Sequence, residues 1–452
     1  MRLVIRKGVE NKMDAKKLLD FSKEQSNQSR LVYICFCAVF CGLYFVRDIF
    51  DIGISFYLIY LWAALTMMVV SKEEAIAFFI SIMAFSRGGF NGVFSVMMLA
   101  VVFIRFGYKR DKYNLSFLFL VLIAVYEFLH AFASKNVTFG VILTYVVLLL
   151  CLGMILQYPH ENLDRKFILD SFICFSLFYA AMTFLVMFKT YGSLEMVITE
   201  GFRTSNYAET VSNTKSFVGN QNFLTSLCSL NISLCILLIS KSKHKIPYIA
   251  ATVFFVLSAL LTISKMFIAV LAALALYLLY VAYKKGLRQG IAVTVLLGIL
   301  FVVAYQLFAD NLIAMVLDRF KRGDLTTGRL DIVALMFEYM NAHPYTYLIG
   351  AGITNMQYEI EHAVHSSVFE VIGGWGILGV FLALGYIVTL LKIAKQNRMV
   401  EKYRIDLLNY LPLFVFLGYS VIGMLFSSEL AIARMTICIF ALELKGGKIR
   451  EI

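Results

Sequence analysis

The sequence predicts an all-α protein, a polytopic bundle of integral membrane helices, and three observations predict it. Of 452 residues, 60% are apolar, only 15% are charged, and the mean hydropathy is +0.80, whereas soluble chains carry roughly a quarter charged residues. Apolar runs of membrane-spanning length, about 20 residues, recur from residue 31 to residue 443. Most of the 41 Lys and Arg fall in alternate connections, including RFGYKRDK, KSKHK, KKGLR and 392–404, once the N-terminus is placed in the cytoplasm. That is the bias of cytoplasmic loops. The net charge of +12 therefore reads as membrane topology, and no nucleic-acid partner is expected.

Residues 1–30 hold eight basic side chains and no signal-type apolar core; they read as a cytoplasmic tail with a short amphipathic helix. Candidate spans follow at 31–46, 52–71, 74–86, 91–106, 114–132, 138–157, 167–188, 223–240, 246–263, 266–283, 290–308, 366–391, 408–426 and 428–443. Because 74–86 and 91–106 are short enough to be re-entrant, the expectation is 12–14 transmembrane helices. Residues 31–443 form one transmembrane domain, and 444–452 form a cytoplasmic C-terminus. Parity puts both termini inside and both long connections, 189–222 and 309–365, outside. All eight cysteines (Cys35, Cys37, Cys41, Cys151, Cys174, Cys228, Cys235, Cys438) lie in apolar runs and read as packing residues. No internal repeat, P-loop or Gly-rich dinucleotide turn is visible, so nucleotide-driven or redox chemistry has no seat.

Long connections on a rigid scaffold are where working residues concentrate. In the second, TTGRLDIVALMFEYMNAHP carries helix punctuation: Thr327 as N-cap, Asp331 in the first turn, and Asn341–Ala–His–Pro as the stop. Leu330, Val333, Met336, Phe337 and Met340 share one face at helical spacing. Arg329 in the first turn has two open readings, a solvated arginine on an interfacial helix or a cation of the site. Outward basic residues run against the inside bias: Arg203, Lys215, Lys265, Arg319, Lys321, Arg322 and Arg329. Guanidinium forks match phosphate oxygens. Charge balance with neighbouring Asp and Glu is the plainer role for Lys215, Arg319, Lys321 and Arg322, and Arg203 and Arg329 are the stronger candidates.

His365-Ser366, nine residues, then Gly376-Ile377-Leu378-Gly379 resembles the H-[NSQ]-x9-G-x-x-G pattern of the O-antigen ligase and Wzy-type polymerase superfamily. TGRLDIV (327–333) is similar to that family's G-R-x-D stretch, and YLIGAG (347–352) to its L-x-G-x-G. LTISKMFIAVLAALA (261–275) is similar to L-T-x-S-R-G-x-x-L, with Lys265 in place of arginine. Arg203 with SFVGNQNFLTSL (216–227) resembles the Arg plus G-x-x-N-P-N element, with Gln221 at the proline position and Asn222 retained. The matching pieces span about residues 200–380, and the first 190 match only as apolar helices.

The resemblance implies a GT-C-like glycosyltransferase at the outer face of the bacterial inner membrane, metal-independent and without cofactors. Its donor and acceptor are undecaprenyl-diphosphate-linked oligosaccharides. Membrane lipid surrounds it, and a chain-length regulator protein is a further implied partner. A polymerase extends a lipid-linked repeat unit of O-antigen, capsule or exopolysaccharide, and a ligase moves polymer onto lipid A–core. Polymerase is the first reading here. Arg203 and Arg329 face the diphosphate with Lys265 as third cation, while Asn222, Ser366, Arg322 and Glu370 contact substrate. His365, whose ordinary pKa near 6.5 suits a general base, relieves the acceptor hydroxyl of its proton.

Competing readings stay open. EIEHAVH (359–365) invites zinc, but His362 and His365 lack HExxH spacing and no cysteine joins them. Glu127, His130, Glu370 and Arg434 fall in or near spans, where ionisable groups are costly; Glu370 reads equally as half of an ion pair. Glu127 on a proton path would instead suit a transporter or flippase of lipid-linked oligosaccharide. A transporter should show broken helices or paired repeats. Finally, Gly373, Gly374, Gly376 and Gly379 are expected to leave room for a neighbouring helix or the carrier's isoprenoid.

Overall fold

The computed structural model describes residues 29–83, 92–107, 115–133, 139–156, 163–202, 221–262, 264–308, 328–362, 364, 366–400, 407–422 and 429–444. Among these residues the protein is all-helical, with no strand. In chain order the helices are α1 Ser29–Phe50, α2 Phe56–Val69, α3 Lys72–Met83, α4 Gly92–Phe106, α5 Leu115–Ala133 and α6 Phe139–Leu156. Then come α7 Arg165–Tyr191, α8 Leu194–Glu200, α9 Gln221–Lys241, α10 Ile246–Leu260, α11 Lys265–Lys285 and α12 Leu287–Phe308. The last six are α13 Arg329–Ala342, α14 Thr346–Ile349, α15 Ile353–Glu359, α16 Ser367–Val400, α17 Leu411–Ile422 and α18 Glu429–Leu442.

Each expected span contains a helix, but their lengths divide them. Six are long and apolar enough to cross a membrane: α1, α5, α7, α9, α11 and α16. Others are short. The 12 residues of α3 extend only about 18 Å at 1.5 Å per residue, against a hydrocarbon core of about 30 Å. Burial explains α3: every residue from Glu74 to Met83 is buried, as expected of a helix apolar on all sides. Phe78 on α3 packs edge-on against Phe40 of α1 and Phe175 of α7, with ring centroids 5.3 and 5.8 Å apart.

The contacts respect the alternation read from the sequence. At one end, Arg30 pairs with Asp164 at 2.9 Å, Arg165 with Glu443 at 2.9 Å, and Lys166 with Asp170 at 2.6 Å. The Tyr248 hydroxyl joins the last pair by donating to Asp170. At the other end, Lys189 pairs with Asp51 at 2.5 Å, and the Phe202 N–H donates to the Leu261 carbonyl at 2.6 Å. Asp164 caps α7 by accepting from the Phe167 N–H, and Gly192 ends that helix in the left-handed conformation, where glycine is unstrained.

Several expectations are corrected in detail. The residue at the N-cap of α13 is Gly328, in the left-handed region, and not Thr327. Leu330 is 64% exposed, while Met336 and Met340 are fully buried with Ile332, Val333 and Phe337 beside them. The buried stripe is therefore rotated away from the first turn. Cys151, Cys228, Cys235 and Cys438 are buried, Cys37 and Cys41 are partly buried against the core, and Cys35 and Cys174 are exposed on helix surfaces.

Candidate functional site at a broken helix

The glycine-rich start of α16 is not a continuous helix. Gly376 has φ 61° and ψ −162°, which splits α16 there. A break leaves the carbonyls of the preceding turn without their usual i+4 donors, and buried carbonyls need partners. They find them outside the helix. The Gly373 carbonyl accepts from the Ala351 N–H at 3.1 Å, and the Gly374 carbonyl from the Gly352 N–H at 2.6 Å. The Trp375 carbonyl accepts from the Tyr126 hydroxyl at 3.2 Å.

Glycine makes this docking sterically possible. Gly350 has φ +71°, and a Cβ there would collide with the Gly374 carbonyl; a Cβ on Gly376 would sit 2.6 Å from the Gly350 nitrogen. The space at Gly374 and Gly376 is thus filled by the backbone of residues 348–353. The expected close neighbour at these two positions is a pair of short helices and the turn between them, with Leu348 of α14 and Ile353 of α15 in the space rather than an isoprenoid. Gly373 serves α13 instead, since a Cβ there would lie 2.6 Å from the Met336 sulfur. Phe337 of α13 meets Phe369 of α16 edge-on at 6.2 Å.

Helix α5 fastens the junction from the other side. Glu127 is buried, and one carboxylate oxygen accepts from the Trp375 indole N–H at 2.7 Å and from the Ile353 N–H at 3.2 Å. The Ile349 carbonyl takes the Tyr126 hydroxyl at 2.6 Å, with His130 Nε2 at 2.8 Å on the same oxygen. These bonds make Glu127 a clamp between α5, α15 and α16. Tyr126 and Trp375 were not singled out from the sequence. The available signal was a tryptophan inside a glycine string and a glutamate in an apolar helix, two polar handles each needing a buried partner.

The candidate residues distribute as follows. His365, Arg203 and Arg322 lie outside the described residues. Both described neighbours of His365, Val364 and Ser366, are buried, so the chain is packed on either side of it. Ser366 accepts the Glu370 N–H at its carbonyl, 2.8 Å away, and Glu370 is buried in the first turn of α16. Arg329 opens α13 and is half-buried, and desolvation by that burial pushes its guanidinium below the ordinary value. His362 and Glu361 are exposed, and among the described residues no group of three or more His, Cys, Asp or Glu comes together.

Lys265 and Asn222 belong to a second assembly. Lys265 is the first residue of α11, half-buried behind Ser264, and Asn222 is exposed at the start of α9. The Thr225 hydroxyl donates to Thr262 at 2.7 Å, which ties the 216–227 element to the 261–265 turn. The Arg434 guanidinium lies over the Phe223 ring at 4.4 Å and donates to Ser226 at 2.5 Å. Helix α17 packs against α9, α11 and α16, and so joins the two assemblies. No protein-family model matches this chain, and no curated protein matches it.

Proposed function

We propose that this protein is a membrane glycosyltransferase, a polysaccharide polymerase of the Wzy kind that moves a glycan from undecaprenyl diphosphate onto a lipid-linked repeat unit. The observation that carries the reading is the docking of residues 347–352 on 373–376. Two stretches matched to the superfamily only by order and spacing are hydrogen-bonded to each other, and the helix begun by Arg329 packs on one of these glycines, Gly373.

In this reading the acceptor hydroxyl attacks the anomeric carbon as the carbon–oxygen bond to the diphosphate breaks. The electron pair leaves with undecaprenyl diphosphate, and the proton passes to His365. Arg329, Arg203 and Lys265 neutralise the charge that develops on the leaving group. Attack from the face opposite the leaving group inverts the anomeric centre. Ser366, Glu370, Asn222 and Arg322 line the substrate path. The site faces the outer side of the bacterial inner membrane, with both termini in the cytoplasm.

The broken helix also favours a second reading, a transporter, because transporters build sites from discontinuous helices. Against it, the carbonyls freed at Gly373 and Gly374 are already taken by the Ala351 and Gly352 N–H groups. The test is the glycan ladder of cells carrying Arg329→Ala or His365→Ala at normal membrane levels. Loss of long chains is expected. A wild-type ladder from both variants sinks the proposal, and polymer stranded on the carrier lipid would make the protein the ligase instead.

A further inference from the structure

We propose that His130 is a positioning residue that, as the doubly protonated imidazolium, latches the 346–353 segment onto the broken helix and releases it as pH rises. The effect on transfer, though not the latch itself, rests on the glycosyltransferase reading above.

Both ring nitrogens of His130 face carbonyl oxygens. Nδ1 lies 2.9 Å from the Tyr126 carbonyl and Nε2 lies 2.8 Å from the Ile349 carbonyl. A carbonyl oxygen only accepts, so both contacts are hydrogen bonds only when both nitrogens carry protons. A neutral imidazole has one N–H and one lone pair, and in either tautomer the lone pair confronts an oxygen. Losing the proton thus turns one attraction into a repulsion.

Among the described residues, other ionisable groups lie on the same helix and on the elements around it. On α5 itself these are Glu127, three residues before, and Tyr126. Helix α6 contributes no charged side chain, α15 carries Tyr358 and Glu359, the α14 turn carries His343, Tyr345 and Tyr347, and the start of α16 carries Glu370. His343 Nδ1 lies 3.1 Å from the Tyr339 carbonyl on α13. The latch acts where it matters for the site. Ile349 immediately precedes Gly350–Gly352, whose backbone docks on Gly373 and Gly374, and a Cβ on Gly352 would lie 2.8 Å from His130 Cβ. The same docking fixes the helix that leads back to Ser366 and His365.

Hydrogen exchange on the purified full-length protein tests this with no substrate present. Protection of the amides in 346–353, corrected for intrinsic rates, should fall at least about tenfold between about pH 5 and pH 8, the worth of one charge-assisted hydrogen bond. His130→Gln, which keeps a single neutral donor, should show lower protection that does not vary over that range. Tyr126→Phe should lower protection yet retain the pH dependence, and it serves as the comparison where His130→Gln misfolds. Constant protection in the wild type, or an unchanged fall in His130→Gln, overturns the latch. Transfer from a lipid-linked sugar, measured on the same preparations, should follow the exchange profile in the wild type and flatten in His130→Gln. Exchange as stated with no glycosidic bond from any preparation leaves the latch standing and rejects the transferase reading.

Discussion

The indole nitrogen of Trp375 lies 2.7 Å from a carboxylate oxygen of Glu127, 248 positions earlier in the chain. Both residues are buried, and the bond ties a membrane-length helix to the glycine-rich entry of another. Trp375→Phe removes the donor and leaves a buried carboxylate short of a partner, at a cost of about 1–3 kcal/mol. Glu127→Leu is expected to cost a similar amount alone. Combined, the two substitutions should cost less than their sum, because they remove one shared bond. Unfolding midpoints in detergent give the cycle, and strictly additive losses would contradict it.

Gly350→Ala should destabilise the protein by more than about 1 kcal/mol, because it adds a side chain at positive φ and drives Cβ into the Gly374 carbonyl. Gly298→Ala is the control. It lies in α12, and an added methyl there meets nothing within 4 Å, so it should be neutral or stabilise by up to about 1 kcal/mol. Equal effects at the two sites would argue against the docking of 347–352 at the break.

Arg165 and Glu443 form an ion pair at 2.9 Å with side chains 6% and 1% exposed. Truncating one partner strands a buried charge and should cost about 3–5 kcal/mol. Replacing both with apolar residues of similar volume should cost far less. Membrane levels and melting midpoints of Arg165→Met, Glu443→Leu and the double variant measure this directly, and a double variant worse than either single contradicts it.

Burial lowers the affinity of Arg329 for its proton, the direction that disfavours the cation. A guanidinium starts so high that it stays charged at neutral pH, whereas an ammonium starts about two pH units lower. Arg329→Lys should therefore transfer glycan at neutral pH but lose activity on the alkaline side before the wild type does. The pH–rate profile checks it; identical alkaline limbs would remove Arg329 from the charged machinery.

The helical, apolar character of the bundle was legible in the sequence, because apolar length is a local quantity. Pairs such as Arg30–Asp164 and Lys189–Asp51 join residues that alternation had placed at the same end. What was not legible is instructive. Gly373, Gly374 and Gly376 announced a close approach by a neighbouring helix, but that the neighbours are α13 and the short α14 and α15 cannot be read from local spacing. On α13 the spacing also put Leu330 on the apolar face, whereas that face turns through Ile332 and leaves Leu330 exposed. Glu127 was visible as an anomaly in an apolar run, but its bond to Trp375 leaves no trace in local spacing.

The most direct test mixes the purified protein with an undecaprenyl-diphosphate-linked oligosaccharide and follows the glycan by gel and mass spectrometry. Lipid-linked products longer by whole repeat units, with release of undecaprenyl diphosphate and no added metal or nucleotide, are expected. The same oligosaccharide crossing a vesicle membrane with no new glycosidic bond would contradict the assignment.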